Sequence, residues 1–164
     1  MILGMSTATF TLLHVIISLI GIASGFVVLF GFLNANRFDG WSALFLTTNV
    51  LTSVTGFLFP TTTILPSQIV GVISLIALAL AIFALYRSHL AGAWRWVYVS
   101  NAILVLYLNV FVGVVQSFQK LAFLQPLAPT QSELPFLIAQ LAVIGLFVLL
   151  GVLALKRFHP EMVT

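Results

Sequence analysis

The chain contains no cysteine, and this absence excludes several kinds of chemistry. Thiol–disulfide exchange, thiolate metal sites, covalently attached haem and iron–sulfur clusters all depend on the cysteine sulfur. The sequence also lacks paired carboxylates at catalytic spacing, a nucleophile with an identifiable base, and the phosphate-binding, zinc-protease and nucleophile-elbow motifs. It therefore predicts a protein that is not an enzyme.

Charge is almost as scarce as cysteine. The 164 residues include six Lys+Arg and three Asp+Glu, so 5% are charged while 62% are hydrophobic. Soluble domains contain about a quarter charged residues, and a surface this poor in charge would aggregate unless lipid covered it. The sequence predicts an integral membrane protein whose partner is the lipid bilayer. The net charge of +3 is spread too thinly for a basic patch, so no nucleic-acid partner is expected.

Five apolar stretches approach the length of about 20 residues that a helix needs to cross about 30 Å of hydrocarbon. They predict one integral membrane domain over residues 1–164, an all-α polytopic transmembrane bundle. Its five helices are expected at about residues 10–33, 41–60, 65–86, 97–118 and 135–155. The second stretch mixes Thr, Ser and Asn with apolar residues, so a model with four spans and a polar hairpin helix remains as the alternative.

The basic residues favour five crossings over four, because cytoplasmic loops retain Lys and Arg. Five crossings place five of the six basic residues on one side, whereas four crossings divide them four against two. In the five-helix model one side carries Arg37, Arg87, Arg95, Lys156 and Arg157, and the other carries Lys120. We therefore expect a multi-pass protein of the cell inner membrane with its N-terminus outside and its C-terminus in the cytoplasm.

Polar residues follow one face of two predicted helices. In the fourth helix Tyr98, Asn101, Asn109 and Gln116 fall within an arc of roughly 80°. A comparable arc of the second helix carries Asn49, Thr52, Ser53 and Gly56. The two faces are expected to meet inside the bundle, either as structural hydrogen bonds or as a polar pocket. The candidate ligand-binding residues are His14, Asn49, Ser53, Asn101, Asn109, Gln116 and Gln140.

Small residues on the first helix predict close helix packing. His14, Ser18, Gly21 and Gly25 lie on one stripe, and the last two belong to a GIASG string. Such a small-xxx-small motif lets two helix backbones approach each other closely. The motif fits packing within this chain, together with Gly56 of the second helix, and it also fits a homo-oligomer interface.

His14 is the one ionisable side chain besides tyrosine that falls clearly within a predicted span. Such residues are functional candidates by default. Two interpretations remain, a neutral imidazole bonded to a neighbouring polar group and a group that binds a ligand. A haem held by two histidines would need a second one, and His89 and His159 are expected on the opposite side. No metal site and no haem is therefore predicted, and no other cofactor unless the ligand is a quinone or a lipid.

Four strings stand out along the chain: TSVTGFLFP, GAWRWVYV, LYLNVFV and LAPTQSELPF. In these strings the chain resembles small bacterial inner-membrane proteins of uncharacterised function. The resemblance covers most of the chain and implies a bacterial inner membrane, with no activity, cofactor or site residue attached. From the residues themselves we expect a non-enzymatic protein that binds a quinone or lipid within the bundle, as a subunit of a larger membrane complex. The alternatives are a permease or channel for a small neutral solute, with an oligomer built through the GIASG face, and a structural accessory subunit.

Overall fold

A computed structural model describes residues 1–160 of the chain, so the last four residues of the predicted domain lie outside it. The described residues form an all-α bundle, which confirms the predicted fold class. Its five α-helices are α1 (Thr7–Leu33), α2 (Asp39–Gly56), α3 (Pro66–Ile82), α4 (Trp94–Lys120) and α5 (Leu134–Arg157). A π-helical turn, Phe83–Arg87, extends α3, and a short 3₁₀ turn, Gln125–Leu127, lies in the connection between α4 and α5.

Local hydrogen bonds set the helix ends, which differ from the predicted ends by up to four residues. The Ser6 hydroxyl caps α1 by accepting the Thr9 N–H at 3.1 Å, so α1 begins three residues earlier than expected. Pro66 stands at the first turn of α3, where its missing N–H costs nothing. α2 ends at Gly56, before the FLFP string, because the chain turns there towards Pro60.

α1 and α2 form an antiparallel pair. Gly21 lies against Asn49, and Gly25 lies against Phe45. Residue numbers therefore rise along one helix while they fall along the other. The close approach at the two glycines brings the backbones together, as the GIASG string predicts.

α3 runs back along α2, beginning where Gly71 packs against the Phe57 ring. α1 and α3 consequently point in the same direction, and the chain must return across the bundle between them. α2 is that return, although its 18 residues amount to only about 27 Å. These contacts favour the five-crossing model, and the four-span alternative stays a prediction, because four of the described helices are long and apolar enough to cross.

The other four helices are long and apolar enough to cross a membrane: Thr7–Leu33, Pro66–Arg87 with the π-helical turn included, Trp94–Lys120 and Leu134–Arg157. α2 is not among them because of its polar residues, which the neighbouring helices partly cover. A chain with four such helices is a membrane protein. α2 packs within the bundle as its polar member, and its crossing of the membrane stays a prediction.

The alternating helix directions separate the basic residues. The ends of α1, α3 and α5 and the beginnings of α2 and α4 share one end of the bundle, which we call the basic end. It carries Arg37, Arg87, Arg95, Lys156 and Arg157. Lys120 closes α4 at the opposite end. The expected N-out, C-in orientation relies on this division and stays a prediction.

Packing differs along the bundle. In the half next to the basic end, the packed half, large side chains are fully buried, and the Phe158 ring stacks edge-on to Phe32 at 4.7 Å. Arg95 donates a hydrogen bond to the Phe158 carbonyl and holds the end of α5 against α4. In the other half, the polar half, every residue of α4 from 110 to 117 is only half-buried.

Candidate functional site

A group of polar side chains joins α1, α2 and α4, beginning at mid-bundle and extending into the polar half. We call it the polar cluster. Its members are His14, Ser18, Asn49, Thr52, Thr55 and Asn109. They are brought together because α1 and α2 run antiparallel, while α4 packs beside α1 and reaches α2 through side-chain hydrogen bonds. Between lipid-embedded helices such hydrogen bonds contribute to association, at about 0.6 kcal/mol each on average.

His14 occupies the part of the polar cluster nearest the end of the bundle. Its Nδ1 lies 2.8 Å from Thr55 Oγ1, and its ring packs edge-on to Phe59 at 5.3 Å between centroids. The Thr55 hydroxyl lies 2.6 Å from the Leu51 carbonyl, which can only accept. The Thr55 hydroxyl has a single hydrogen, and we assign it to the bond with the Leu51 carbonyl. The hydrogen of the His14–Thr55 bond is then carried by His14 Nδ1, which donates to Thr55 Oγ1. A neutral His14 then keeps its lone pair on Nε2.

The two predicted polar faces meet at Asn49 and Asn109. The Asn109 amide donates to Asn49 Oδ1 at 3.0 Å and to the Ser18 carbonyl at 3.4 Å. The Asn49 amide donates to the Phe45 carbonyl of its own helix at 2.8 Å. Both hydrogens of the Asn109 amide are used, and one amide thus links α4 to α1 and α2. The expectation that these two faces lie opposite each other is confirmed at this pair.

Packing leaves no space for a solute beside this pair. A Cβ atom placed at Gly21 would come within 2.9 Å of Asn49 Nδ2 and 3.2 Å of Asn109 Nδ2. At Gly25 it would meet Leu106 at 2.5 Å and Phe45 at 2.8 Å. The GIASG face is therefore filled by α2 and α4 of the same chain. In the described residues this face is already buried within one chain and offers no exposed surface to a second copy, while the expected homo-oligomer itself stays a prediction.

The seven candidate ligand residues do not form one site. His14, Asn49 and Asn109 share the polar cluster. Asn101 instead donates to the Val97 carbonyl of its own helix at 2.8 Å. Within residues 1–160, neither Ser53 nor Gln116 has a side-chain hydrogen bond. Of the packing residues, Ser18 bonds the His14 carbonyl at 2.8 Å, and Gly56 lies beside the His14 ring.

Gln140, the remaining candidate, lies between α5 and α4. Its amide nitrogen donates to the Phe111 carbonyl at 3.3 Å. Its oxygen, Oε1, is buried and has no hydrogen-bond partner, and among the described residues it is the one buried side-chain polar atom in that condition. A buried acceptor without a partner costs about 1–3 kcal/mol and calls for an explanation. In lipid no bulk water reaches it.

Two polar contacts escaped the sequence analysis. Thr55 lies three residues after Thr52, so helical spacing could have added it to the polar face of α2, although not its hydrogen bond with His14. Tyr98 donates to Ser42 Oγ at 3.0 Å in the packed half. Ser42 stands in the first turn of α2, seven residues before Asn49 and therefore on the polar face of that helix, so helical spacing could have added it to that face.

The connection before α5 is held by its own hydrogen bonds. The exposed Glu133 carboxylate accepts the Thr130 hydroxyl at 2.7 Å and the Thr130 and Ser132 N–H groups at 3.1 Å each. Because these donors favour the charged form, chiefly the Thr130 hydroxyl, the pKa of Glu133 is lowered.

Over residues 1–160 no three His, Asp or Glu side chains come close enough together to hold a metal ion. Comparison of the chain with family models, with curated proteins and with solved structures finds no match. The geometry of the polar half is what bears on function.

Proposed function

We propose that the protein is a non-enzymatic membrane protein that binds a small, mostly apolar ligand in the polar half, between α4 and α5. The observation that carries this proposal is the buried, unpartnered Oε1 of Gln140. An acceptor held in lipid without a partner is destabilising, and a donor on a bound ligand would remove that cost.

The chemistry of Gln140 defines the donor that the ligand must carry. One of the two hydrogens on its amide nitrogen bonds the Phe111 carbonyl, and its oxygen has no partner, so the atom without any partner is an acceptor. A ligand with a hydroxyl complements it, such as a quinone in its reduced, quinol form or a lipid with a free hydroxyl. A fully oxidised quinone offers only acceptors and does not.

The walls near Gln140 suit an apolar ligand body. Phe111 contacts Tyr107 at 6.1 Å between ring centroids, and Tyr107 in turn contacts Phe147 at 5.8 Å. Aromatic rings offer large apolar surface with little rotamer entropy to lose. The half-buried state of α4 from residue 110 to 117 leaves part of this helix accessible to a molecule in the surrounding lipid.

Two further parts of the proposal rest on charge and on sequence. The five basic residues at one end support an inner-membrane protein with its C-terminus in the cytoplasm, and the resemblance of the four strings supports a bacterial membrane. The small aqueous surface suits a subunit of a larger membrane complex.

Native mass spectrometry tests the proposal on protein gently extracted from the membrane in which it is made. We expect one hydroxyl-bearing apolar molecule per chain, identified after release. The Gln140→Leu variant should lose it. The matched control is Asn101→Leu, which removes an amide from the packed half and should keep it. A wild-type protein without any bound small molecule contradicts the proposal.

The same measurement addresses the two alternatives. A bare protein that transports a neutral solute in liposomes would indicate a permease. The tight packing at Gly21 predicts that Asn109→Leu leaves such a flux unchanged, since no path passes that pair. A protein that carries no small molecule but always copurifies with one larger protein would indicate a structural accessory subunit.

A further inference from the structure

A groove lies between α2 and the end of α3, in the packed half. It has a volume of about 230 Å³, and its walls include Ala43, Thr47 and Val50 of α2 and Ile82 and Tyr86 from the end of α3. Ala43, Thr47 and Tyr86 are exposed at the surface of the bundle. The groove is therefore open towards the surrounding lipid.

Local sequence and backbone explain why the two helices part here. Ala43 and Thr47 are small side chains one turn apart, so α2 presents a shallow face. Opposite them α3 changes to a π-helical turn, in which the Ser88 N–H bonds the Phe83 carbonyl. Such turns are rare in proteins and occur frequently at functional sites. In this chain the π-helical turn carries Tyr86, one wall of the groove.

The size and lining of the groove fit one hydrocarbon chain. Sites for drug-sized molecules have volumes of about 300–1,000 Å³, more than this groove provides. Its walls are mostly apolar, and it lies along the helices, parallel to the chains of the surrounding lipids. Tyr86 stands at the end where the headgroups lie, a position in which amphipathic rings settle.

The charges at the basic end of the bundle, where Tyr86 closes the groove, indicate the class of headgroup. Arg87 follows Tyr86 directly and is exposed, and within the described residues it has no carboxylate partner. Asp39, the acidic residue at the beginning of α2, forms an ion pair with Arg37. Since five of the six basic residues share this end, the potential there attracts a phosphate. Basic sites between helices on the cytoplasmic side recognise anionic headgroups in this way.

We propose that this groove binds an anionic phospholipid, with one acyl chain between α2 and the end of α3 and its phosphate at Arg87. The site is separate from the one proposed at Gln140, because it uses other helices and lies in the other half of the bundle.

The test uses protein in nanodiscs of equimolar phosphatidylglycerol and phosphatidylcholine, released into detergent and weighed intact with its bound lipids. We expect one retained phosphatidylglycerol per chain. Thr47→Phe and Ala43→Phe, which fill the groove from exposed positions, should lose it. Leu44→Phe adds the same ring to the same helix outside the groove and should retain it. Arg87→Gln should lower the preference for phosphatidylglycerol about fivefold, the effect of one basic residue at the membrane surface.

Three results would overturn the proposal. The first is retention of the lipid by Thr47→Phe and Ala43→Phe when their thermal unfolding matches that of the wild type. The second is equal loss from Leu44→Phe, which would mean lipid held without a specific site. The third is that the wild type retains phosphatidylcholine as often as phosphatidylglycerol, which would mean that the groove does not select an anionic headgroup through Arg87. Gln140→Leu should keep the phosphatidylglycerol, so failure of the Gln140 site and failure of the groove are told apart.

Discussion

The packed half and the polar half of this bundle are built from the same five helices but are held together differently. In the packed half aromatic and aliphatic side chains are buried against one another, as at Phe45, Tyr98 and Phe158. In the polar half hydrogen bonds join α1, α2 and α4, residues 110–117 of α4 are only half-buried, and the buried large rings are Phe10 and Phe118. Stability comes chiefly from the first arrangement, because close packing is the main attraction between helices in lipid.

The contrast bears on function because apolar packing could have filled the polar half as well. Hydrogen bonds of the Asn49–Asn109 kind contribute little stability on average, and an unpartnered acceptor such as Gln140 Oε1 lowers it. The cost of the unpartnered Gln140 Oε1 is what the proposed ligand would remove. The two halves should therefore respond differently to substitution, and the predictions below proceed from the largest expected effect to the smallest.

The largest contrast is expected between two phenylalanines. Phe45→Ala should lower the free energy of unfolding by about 3–5 kcal/mol, because Phe45 is 1% exposed and its loss leaves a cavity. Phe111→Ala should cost roughly half as much or less, because Phe111 is only half-buried in the polar half. Titration with SDS in mixed micelles measures both values. Equal losses would show that the two halves are packed alike.

The second contrast uses glycines of two helices. Gly25→Ala should destabilise the protein by about 1–3 kcal/mol, because the new Cβ overlaps Leu106 and the Phe45 ring. Among the described residues, no heavy atom of another element lies within 4 Å of a Cβ at Gly145. Gly145→Ala should therefore stabilise α5, by up to about 1 kcal/mol. If both variants changed the free energy of unfolding in the same direction, the helices would not approach each other most closely at the GIASG string.

Different features of the fold could be predicted from the sequence to different degrees. The number, order and direction of the helices could be predicted, because apolar length and the placement of Lys and Arg are imposed by the bilayer. The helix ends could not be placed to the residue, because they depend on single hydrogen bonds such as the cap at Ser6. The π-helical turn after Ile82 has no signal in the sequence that we can name.

The candidate site was predicted in part for a similar reason. Helical spacing gives the direction of a side chain, so Asn49 and Asn109 could be expected to face each other. Spacing does not say which neighbour lies at that depth, and an amide in a span can bond its own helix, as Asn101 does. The unpartnered state of Gln140 Oε1 depends on how α5 lies against α4, which no local pattern encodes.

The third prediction concerns the polar cluster itself. A double-mutant cycle with Asn49→Leu and Asn109→Leu should give a coupling energy of about 0.6 kcal/mol, within the limit of about 1.7 kcal/mol for hydrogen bonds between membrane helices. The matched cycle of Asn49→Leu with Asn101→Leu should give none, since Asn101 bonds its own helix. A coupling of several kcal/mol for the first pair would make the polar cluster a major source of stability and would remove the contrast between the halves.

The smallest effect is expected outside the spans, in the turn before α5. Because the folded pKa of Glu133 is lowered, chiefly by the Thr130 hydroxyl, the charged form stabilises the turn. That contribution is fully present above the pKa of the unfolded chain and is lost as the pH falls through the lower, folded pKa. Thr130→Val should bring the pKa of Glu133 back towards its ordinary value, as measured by NMR titration of the carboxyl carbon in micelles. The control, Thr61→Val, changes a threonine of the other connection at the same end and should leave that pKa where it is. If Thr130→Val also leaves it unchanged, the backbone N–H groups alone fix the charge of Glu133, and the hydroxyl does not hold this turn.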